Sequence, residues 1–275
     1  MTAADLARMA SQHAASLQAG GIDWLPTTER IEVAASEIVE PEQTMPQPAK
    51  AAAPVSAATP RSTPTIAAVA AKPVTVAMSG EALPTDQKRI QLQLMNQKEV
   101  EGCTKCTDLV RNRTRTVFGV GNIDTELVFV GEAPGADEDK AGEPFVGAAG
   151  QLLNKIIAAC KLERKDIYIC NVLKCRPPGN RQPLADEVTN CRGFLERQLS
   201  IIRPKFICCL GLVAAQTVLN TTTPIGKLRK QIHDYQGIKV VATYHPAYLL
   251  RNPNAKKDVW EDMKMMMEAM GRPVA

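Results

Sequence analysis

The sequence predicts an α/β protein with a central four-stranded parallel sheet flanked by helices, preceded by a disordered N-terminal extension. Two observations carry this prediction. Four short runs in the C-terminal two thirds are apolar at nearly every position, which is typical of strands that are buried on both faces. Segments with helical periodicity alternate with these runs, and strand–helix alternation favours a parallel sheet.

The order of these elements places unusual residues at one edge of the predicted sheet. The predicted strands cover residues 127–130, 167–170, 206–210 and 240–244. The predicted helices cover residues 87–101, 147–160, 184–202, 211–219 and 255–270. Gly131–Gly135 follows the first strand, Asn171 the second and His245 the fourth. Because ligands of parallel sheets bind at the carboxyl ends of the strands, we expect a binding site there.

The N-terminal third differs in composition from the rest. Residues 1–30 predict a short helical segment, because apolar residues recur at helical spacing before Gly20-Gly21. Residues 31–85 predict a disordered linker: positions 47–78 alone hold 11 Ala and 5 Pro and almost no large apolar side chain. Such a segment cannot bury enough surface to offset its conformational entropy. The globular domain is therefore expected over residues 86–272.

Charge and hydropathy limit the classes of partner. The net charge is +4 and the pI is about 8.6, which permits a polyanionic partner without requiring one. No stretch reaches the roughly eighteen apolar residues of a membrane span. The first residues lack the pattern of a secretory signal, so we expect a cytoplasmic location. We also expect the protein to be a monomer. Disulfides are rare in that compartment, and the eight cysteines need another explanation.

The cysteines fall into two groups. Those inside predicted helices or strands are expected to be core residues, and they are Cys160, Cys170, Cys208 and Cys209. Those in polar surroundings predict a tetrahedral sulfur site, and they are Cys103, Cys106, Cys175 and Cys191. Only the first two of this second group form a compact pair. Spacing therefore leaves zinc, an iron–sulfur cluster and a chance arrangement of thiols open.

Three positions near the predicted edge have side chains suited to reading a base. Phe145 lies in a Gly/Pro loop, where it is a candidate stacking platform or the lid of the core. Asn171 can present a donor and an acceptor to a base edge, or simply form a turn. His245 begins His-Pro-Ala-Tyr-Leu-Leu-Arg, in which exposed leucines beside Arg251 suit a wedge inserted into a duplex.

Basic residues occur in the same loops and predict phosphate contacts. They are Arg111, Arg113, Arg115, Lys174, Arg176, Arg181, Lys227, Arg229, Lys230 and Arg251.

Three motifs in this order resemble those of the family-4, iron–sulfur uracil-DNA glycosylases. They are GEAPGADEDKAGEPFVGAAGQLLN at 131–154, NVLKCRPPGNRQP at 171–183 and HPAYLLRNP at 245–253. The resemblance runs from about Cys103 to Met270. It implies a uracil-DNA glycosylase-like fold, a DNA-repair enzyme that hydrolyses the N-glycosidic bond of deoxyuridine, and uracil-containing DNA as its partner.

The resemblance also assigns roles to residues. A 4Fe–4S cluster would be held by Cys103, Cys106, Cys175 and Cys191. For base recognition, Phe145 would stack on uracil and Asn171 would read its edge. For the chemistry, His245 would donate a hydrogen bond to uracil O2, and Glu138 is at a position implicated in catalysis. Pocket shape would come from Glu132, Ala133 and Gly135, and DNA contacts from Leu249 as the wedge, Arg251 and Arg176.

Three expectations do not follow from a direct transfer of the family's residue roles to this sequence. Ala133 stands where other members of the superfamily place an Asp or Asn that positions water, so water activation is unassigned, with Glu138 the nearest candidate. Residues 177–183 contain no histidine, which predicts ordinary turnover rather than covalent trapping. His233 is expected at the surface.

Two alternatives to this enzyme stay open. One is a non-catalytic iron–sulfur DNA-binding module, tethered to a repair or replication complex through its N-terminal segment. The other is a zinc enzyme acting on another nucleotide.

Overall fold

The computed structural model describes residues 82–274, and these residues form a six-stranded mixed sheet between helices. The strands are β1 (Val120–Gly121), β2 (Leu127–Gly131), β3 (Tyr168–Asn171), β4 (Phe206–Leu210), β5 (Ile232–Tyr235) and β6 (Ile238–Thr243). Their order is β1-β3-β2-β4-β6-β5. The four central strands are parallel, which confirms the prediction for the middle of the sheet.

The prediction of only four strands is wrong at both edges of the sheet. β1 pairs antiparallel with β3. It is only two residues long, which is too short for a periodic pattern in the sequence. β5 pairs antiparallel with β6 and is exposed at alternate positions. It joins β6 through Gln236 and Gly237, whose φ values of 53° and 85° suit a tight hairpin turn. His233 lies on this edge strand and is half-buried rather than fully at the surface.

The long helices begin and end within one or two residues of the predicted bounds. The helices are α1 (Thr85–Met95, continued by a π-helical turn at Asn96–Val100), α2 (Thr107–Asn112), α3 (Ala136–Ala141), α4 (Ala148–Ala159), α5 (Ala185–Ile202), α6 (Leu212–Leu219), α7 (Ile225–Leu228), α8 (Pro246–Arg251) and α9 (Lys256–Ala269). The short α2, α3, α7 and α8 were not predicted, because one turn of helix carries little periodicity.

The sheet lies between two apolar layers. Alternate residues of the central strands face opposite sides, as a pleated strand requires. Val128 and Ile207 face the side covered by α1, α5 and α6, whereas Phe129 and Cys208 face the side covered by α4 and α9. The four cysteines that were expected in the core are buried. This burial on both faces explains why β2 and β4 are apolar along their whole length.

The described residues begin close to the predicted start of the globular part. α1 starts at Thr85, against a predicted domain start at residue 86. The predicted helical segment at 1–30 and nearly all of the 31–85 linker lie outside the described residues. None of the helices within residues 82–274 is long and apolar enough to cross a membrane.

Candidate active site

A cavity of about 490 Å³ opens at the carboxyl ends of the central strands. β2, β3 and β6 each deliver residues to it, as the predicted order of elements requires. Of the residues singled out from the sequence, its walls contain Glu132, Ala133, Gly135, Glu138, Phe145, Asn171, His245 and Arg251. Leu249 and Arg176 are not among its lining residues. The structure thus brings most of the candidate base-reading residues into one site.

Asn171 presents a free acceptor beside this cavity. The residue is only 1% exposed, and its Oδ1 is buried without a hydrogen-bond partner among the described residues. Buried acceptors without partners are rare, since each costs desolvation free energy. Gly131 permits this placement: a Cβ there would lie 2.3 Å from Asn171 Oδ1 and 2.6 Å from Phe145 Cζ. Gly131 therefore lets the backbone lie close to both the amide and the aromatic ring.

Phe145 is held in an unusual backbone conformation next to His245. Its φ is 55°, in the left-handed region that bulky residues rarely adopt. The ring is 5% exposed, and its centroid lies 5.5 Å from that of the His245 imidazole at 31° between planes. Phe145 packs in the core, as one of its two alternatives requires, and it also lines the cavity, while its role in stacking stays a prediction.

Glu138 stabilises the loops around the cavity. One carboxylate oxygen accepts the backbone N–H groups of Val146 and Gly147, both at 2.9 Å, and the other accepts that of Gly135 at 3.1 Å. Gly135 is the N-cap of α3, and Glu138, three residues on, accepts its backbone N–H, which is the half of a capping box that a glycine N-cap allows. The carboxylate is thereby committed to three backbone donors that tie the turn after β2 to the loop that carries Phe145.

His245 is held as a neutral imidazole with a defined tautomer. It is the N-cap of α8, and its Nδ1 accepts the backbone N–H of Ala247 at 3.1 Å. The proton of the neutral ring therefore lies on Nε2. Burial, reinforced by the positive charge of Arg251 and opposed by Glu138, lowers the pKa of His245 to about 4. At neutral pH the ring donates through Nε2–H without carrying charge.

The other pocket residues near β2 differ in chemistry. Ala133 is half-buried and offers only a methyl group. Burial raises the pKa of the neighbouring Glu132 carboxyl.

The four cysteines predicted to form a sulfur site line a second, smaller cavity. Three of the sulfurs accept N–H groups: Cys175 from Arg113 at 3.1 Å, Cys191 from the Lys174 backbone at 3.3 Å, and Cys106 from Asn190 at 3.5 Å. Burial raises the pKa of Cys191 to about 12. Within residues 82–274, no three His, Cys, Asp or Glu side chains are close enough together to hold a single metal ion.

Comparison with known proteins agrees with this geometry. Residues 118–264 match the model of the uracil DNA glycosylase superfamily. A type-4 uracil-DNA glycosylase of Archaeoglobus fulgidus is 46% identical over 183 residues, which are 64% of this chain and 92% of that protein. One of Thermotoga maritima is 44% identical over 180 residues, 64% and 93% of the two chains. The chain belongs to the type-4 uracil-DNA glycosylases. A type-5 uracil-DNA glycosylase of Pyrobaculum aerophilum is 31% identical over 54% of this chain and 79% of that protein.

The wedge assigned to Leu249 is wrong for this type-4 glycosylase. Its side chain is 1% exposed and packs in the core against α4 and α9. The segment after His245 is helical, so successive side chains point about 100° apart. Leu250 is consequently 48% exposed and Tyr248 39% exposed. Arg251 is also exposed, and the exposed leucine expected beside it is Leu250.

Several of the basic residues that were expected to contact phosphates have partners within the protein. Arg113 binds the Cys175 sulfur and the Cys103 carbonyl oxygen. Lys174 is 1% exposed, and its ammonium donates to the Asn171 carbonyl oxygen and the Gln198 side chain. Arg229 is buried and donates to Asp262. Arg176 is half-buried and donates to Asn180.

One residue next to the glycosylase site, Arg164, was not singled out from the sequence. Two residues that lie within the motifs, Tyr248 and Arg181, also line the cavity. Arg181 forms a two-pronged ion pair with the buried Glu187. Arg164 lies outside all three motifs, and it donates to the backbone of the Phe145 loop. Residues that act through backbone groups have no motif of their own, which is why sequence reasoning missed Arg164.

Proposed function

We propose that this chain removes uracil from DNA by hydrolysing the bond between uracil and deoxyribose, leaving an abasic site. The observation that carries the proposal is the free Oδ1 of Asn171, in one cavity with Phe145 and His245. The named function of the type-4 relatives supports it.

Uracil recognition follows from the donor and acceptor pattern of this cavity. The free Oδ1 of Asn171 suits the N3–H of uracil, and its amide group suits O4. Cytosine has an acceptor at N3 and an amino group at C4, so the same amide orientation would oppose it at both positions. Phe145 offers an aromatic face for stacking. Gly131 leaves room for the base edge to approach the amide.

Bond cleavage requires that the nucleotide first leave the duplex, at a cost of a few kcal/mol. As the glycosidic bond breaks, negative charge accumulates on uracil and positive charge on the sugar. The Nε2–H of His245 is the proposed donor to uracil O2. A preorganised donor in a site that excludes water contributes about 3 kcal/mol to such a step. The backbone bond from Ala247 to Nδ1 keeps this donor oriented without a charge on the ring.

The attacking water is not positioned by a carboxylate directly after β2, because Ala133 occupies that position. Ala133 offers no polar atom, and three of the roughly four acceptor positions of Glu138 are filled by backbone donors. We therefore propose that Glu138 acts by holding the pocket loops rather than as the general base. Glu132 also lines the cavity, with a raised pKa that suits a group able to exchange a proton.

The DNA-facing surface is proposed around α8. Leu250 is exposed beside Arg251, which makes it the side chain available to fill the gap left by a flipped base. Arg251 would contact a flanking phosphate, and so would Arg176 if it releases Asn180.

A 4Fe–4S cluster bound by Cys103, Cys106, Cys175 and Cys191 is the proposed cofactor. The chemistry of the donor set fits, since thiolates bind such clusters and N–H groups directed at the sulfurs stabilise their negative charge. All four cysteines line one cavity, which suits a cluster bound by four thiolates. Glycosidic hydrolysis needs no redox step, so the proposed role is to tie together the three chain segments that carry the cysteines, at 103–106, 175 and 191.

Release of free uracil from a uracil-containing oligonucleotide tests the function. We expect single-turnover release from the purified full chain, and loss of release in Asn171→Ala. A chain that binds uracil-containing DNA but leaves every glycosidic bond intact would show that it is a non-catalytic binding module instead. Visible absorbance near 400 nm with iron analysis tests the cluster, and zinc in place of iron would overturn it. A cytoplasmic location, the monomeric state and a protein partner of the N-terminal segment stay predictions from the sequence.

A further inference from the structure

We propose that Arg164 is a positioning residue, which holds Phe145 in the conformation that stacks on the base. This inference rests on the proposed function, because it concerns the same pocket. Arg164 starts a 3₁₀ turn (Arg164–Asp166) just before β3 and lies outside the three motifs. Its side chain binds backbone groups of the Phe145 loop other than those that Glu138 binds.

The contacts of Arg164 are directed at the loop backbone. One guanidinium nitrogen donates to the Phe145 carbonyl oxygen at 3.2 Å and to Asn154 Oδ1 at 3.1 Å. The other nitrogen donates to the Pro144 carbonyl oxygen. Asn154 belongs to α4, so the guanidinium joins the loop to a helix as well as bridging two consecutive carbonyl groups.

Phe145 needs such support. With φ at 55° it lies in a region that disfavours bulky side chains, and a residue held there persists only where its surroundings fix it. The fit around its carbonyl group is close: a Cβ on Gly150 would lie 1.9 Å from the Phe145 oxygen. The carbonyl is thus pressed against the start of α4 and fixed there by Arg164.

An acceptor, Glu138, and a donor, Arg164, bind complementary backbone groups of the Phe145 loop. Glu138 accepts the N–H groups of Val146 and Gly147, while Arg164 donates to the carbonyl groups of Pro144 and Phe145. A planar guanidinium can serve two neighbouring carbonyl groups at once, which an ammonium cannot do with the same geometry. Arg164 is half-buried, and it donates its hydrogen bonds to the loop carbonyls and Asn154, while the charges of Glu143 and Glu138 attract its guanidinium.

The first experiment measures single-turnover uracil release by Arg164→Ala. A misplaced stacking ring should slow release by about 100-fold, the loss expected when a reacting group is displaced by about 1 Å. Binding of the same duplex without uracil should stay unchanged. Lys165→Ala is the matched control: it removes the same charge from the next residue, whose exposed side chain pairs only with Glu163, and release should stay normal.

A double-mutant cycle separates positioning from general destabilisation. If Arg164 acts through the Phe145 ring, then Arg164→Ala should add little to the defect of Phe145→Ala. Additive losses would overturn the proposal. Guanidinium at millimolar concentration should partly restore release to Arg164→Ala but not to Phe145→Ala. Should Arg164→Ala fail to fold, Arg164→Lys serves the same cycle, with a smaller loss expected.

A crystal structure of the same variant provides a readout that does not depend on activity. We expect the φ of Phe145 to leave the left-handed region, or the ring to leave the pocket. An unchanged Phe145 in that structure would overturn the inference even if wild-type protein releases uracil. Conversely, wild-type protein that releases no uracil overturns the proposed function and leaves the loop geometry as a separate result.

Discussion

The protonation state of His245 makes the sharpest prediction about the chemistry. Its Nδ1 accepts the N–H of Ala247, and its pKa is lowered from 6.5 to about 4, chiefly by burial and then by Arg251. The active form is therefore the neutral ring. Uracil release should be independent of pH from 8 down to about 5, as far as this residue determines it, and should fall only as pH drops through about 4.

The magnitude follows from the pKa. A change from 6.5 to about 4 disfavours the charged ring by about 3 kcal/mol. Protonation would also place an N–H on Nδ1 against the N–H of Ala247, so the acid form loses the bond that orients the ring. Replacing the ring by Ala removes the Nε2–H donor, for which a loss of about 10²- to 10³-fold in the rate of release is expected.

Single-turnover release on a duplex with one uracil opposite guanine, measured from pH 4 to 8, tests both points. The wild-type profile should be flat between pH 5 and 7, and His245→Ala should be slow at every pH. His233→Ala is the matched control: His233 lies on the edge strand β5, away from the cavity, and its replacement should leave the rate unchanged.

Loss of the fold at acid pH has to be separated from loss of the chemistry. A depressed pKa in the folded state means that protonation favours the unfolded chain, so the free energy of unfolding contributed by His245 declines as pH falls from 6.5 to about 4. Circular dichroism at each pH monitors this. A wild-type rate that falls with an apparent pKa near 6.5, while the protein stays folded and His233→Ala behaves in the same way, would refute the assignment of a neutral His245.

Three further predictions follow from the packing around the two cavities. Leu250→Ala should slow release from duplex DNA more than from single strands, with no change in thermal stability. Leu249→Ala removes a buried leucine and should lower the free energy of unfolding by about 2–5 kcal/mol. Equal stability of the two variants would contradict the burial argument. Gly131→Ala should abolish release while the far-ultraviolet spectrum stays native, because its Cβ would lie 2.3 Å from the base-reading amide; normal release would disprove the close approach. Cys175→Ser should lose the absorbance near 400 nm and melt at lower temperature, unlike Cys160→Ser, which should keep its colour; a coloured and equally stable Cys175→Ser would contradict the ligand assignment.

The sequence was sufficient for the middle of the fold because burial on both faces leaves a strong signature. β2 and β4 are apolar at every position apart from the terminal glycine, and the structure shows every residue of both strands buried. The edge strands have no such signature. β5 has one solvated edge and alternating exposure, so its residues resemble those of a polar loop.

The candidate pocket could be predicted only where function is carried by a side chain at a strand end. Asn171 and His245 directly follow apolar runs, and the topology of a parallel sheet places them together. The resemblance placed the wedge at Leu249 by its position in the motif. Which of Leu249 and Leu250 is exposed depends on the phase of a short helix, and that phase is not visible in sequence. Likewise, no sequence pattern reveals which backbone groups Glu138 or Arg164 will bind.

The segment from Asn171 to Cys175 links the pocket to the sulfur site in a way that bears on the role of the proposed cluster. Lys174 donates its ammonium to the Asn171 carbonyl oxygen at 2.8 Å and its backbone N–H to the Cys191 sulfur at 3.3 Å. The ammonium is fully buried, and its acceptors are a carbonyl oxygen and the neutral amide of Gln198, so the nearby thiolates of a cluster would supply negative charge that this site otherwise lacks. Loss of the cluster would therefore disturb Asn171 in two ways, through the chain from Asn171 to Cys175 and through the buried charge of Lys174. A structural cofactor can affect base recognition by this route without any transfer of electrons.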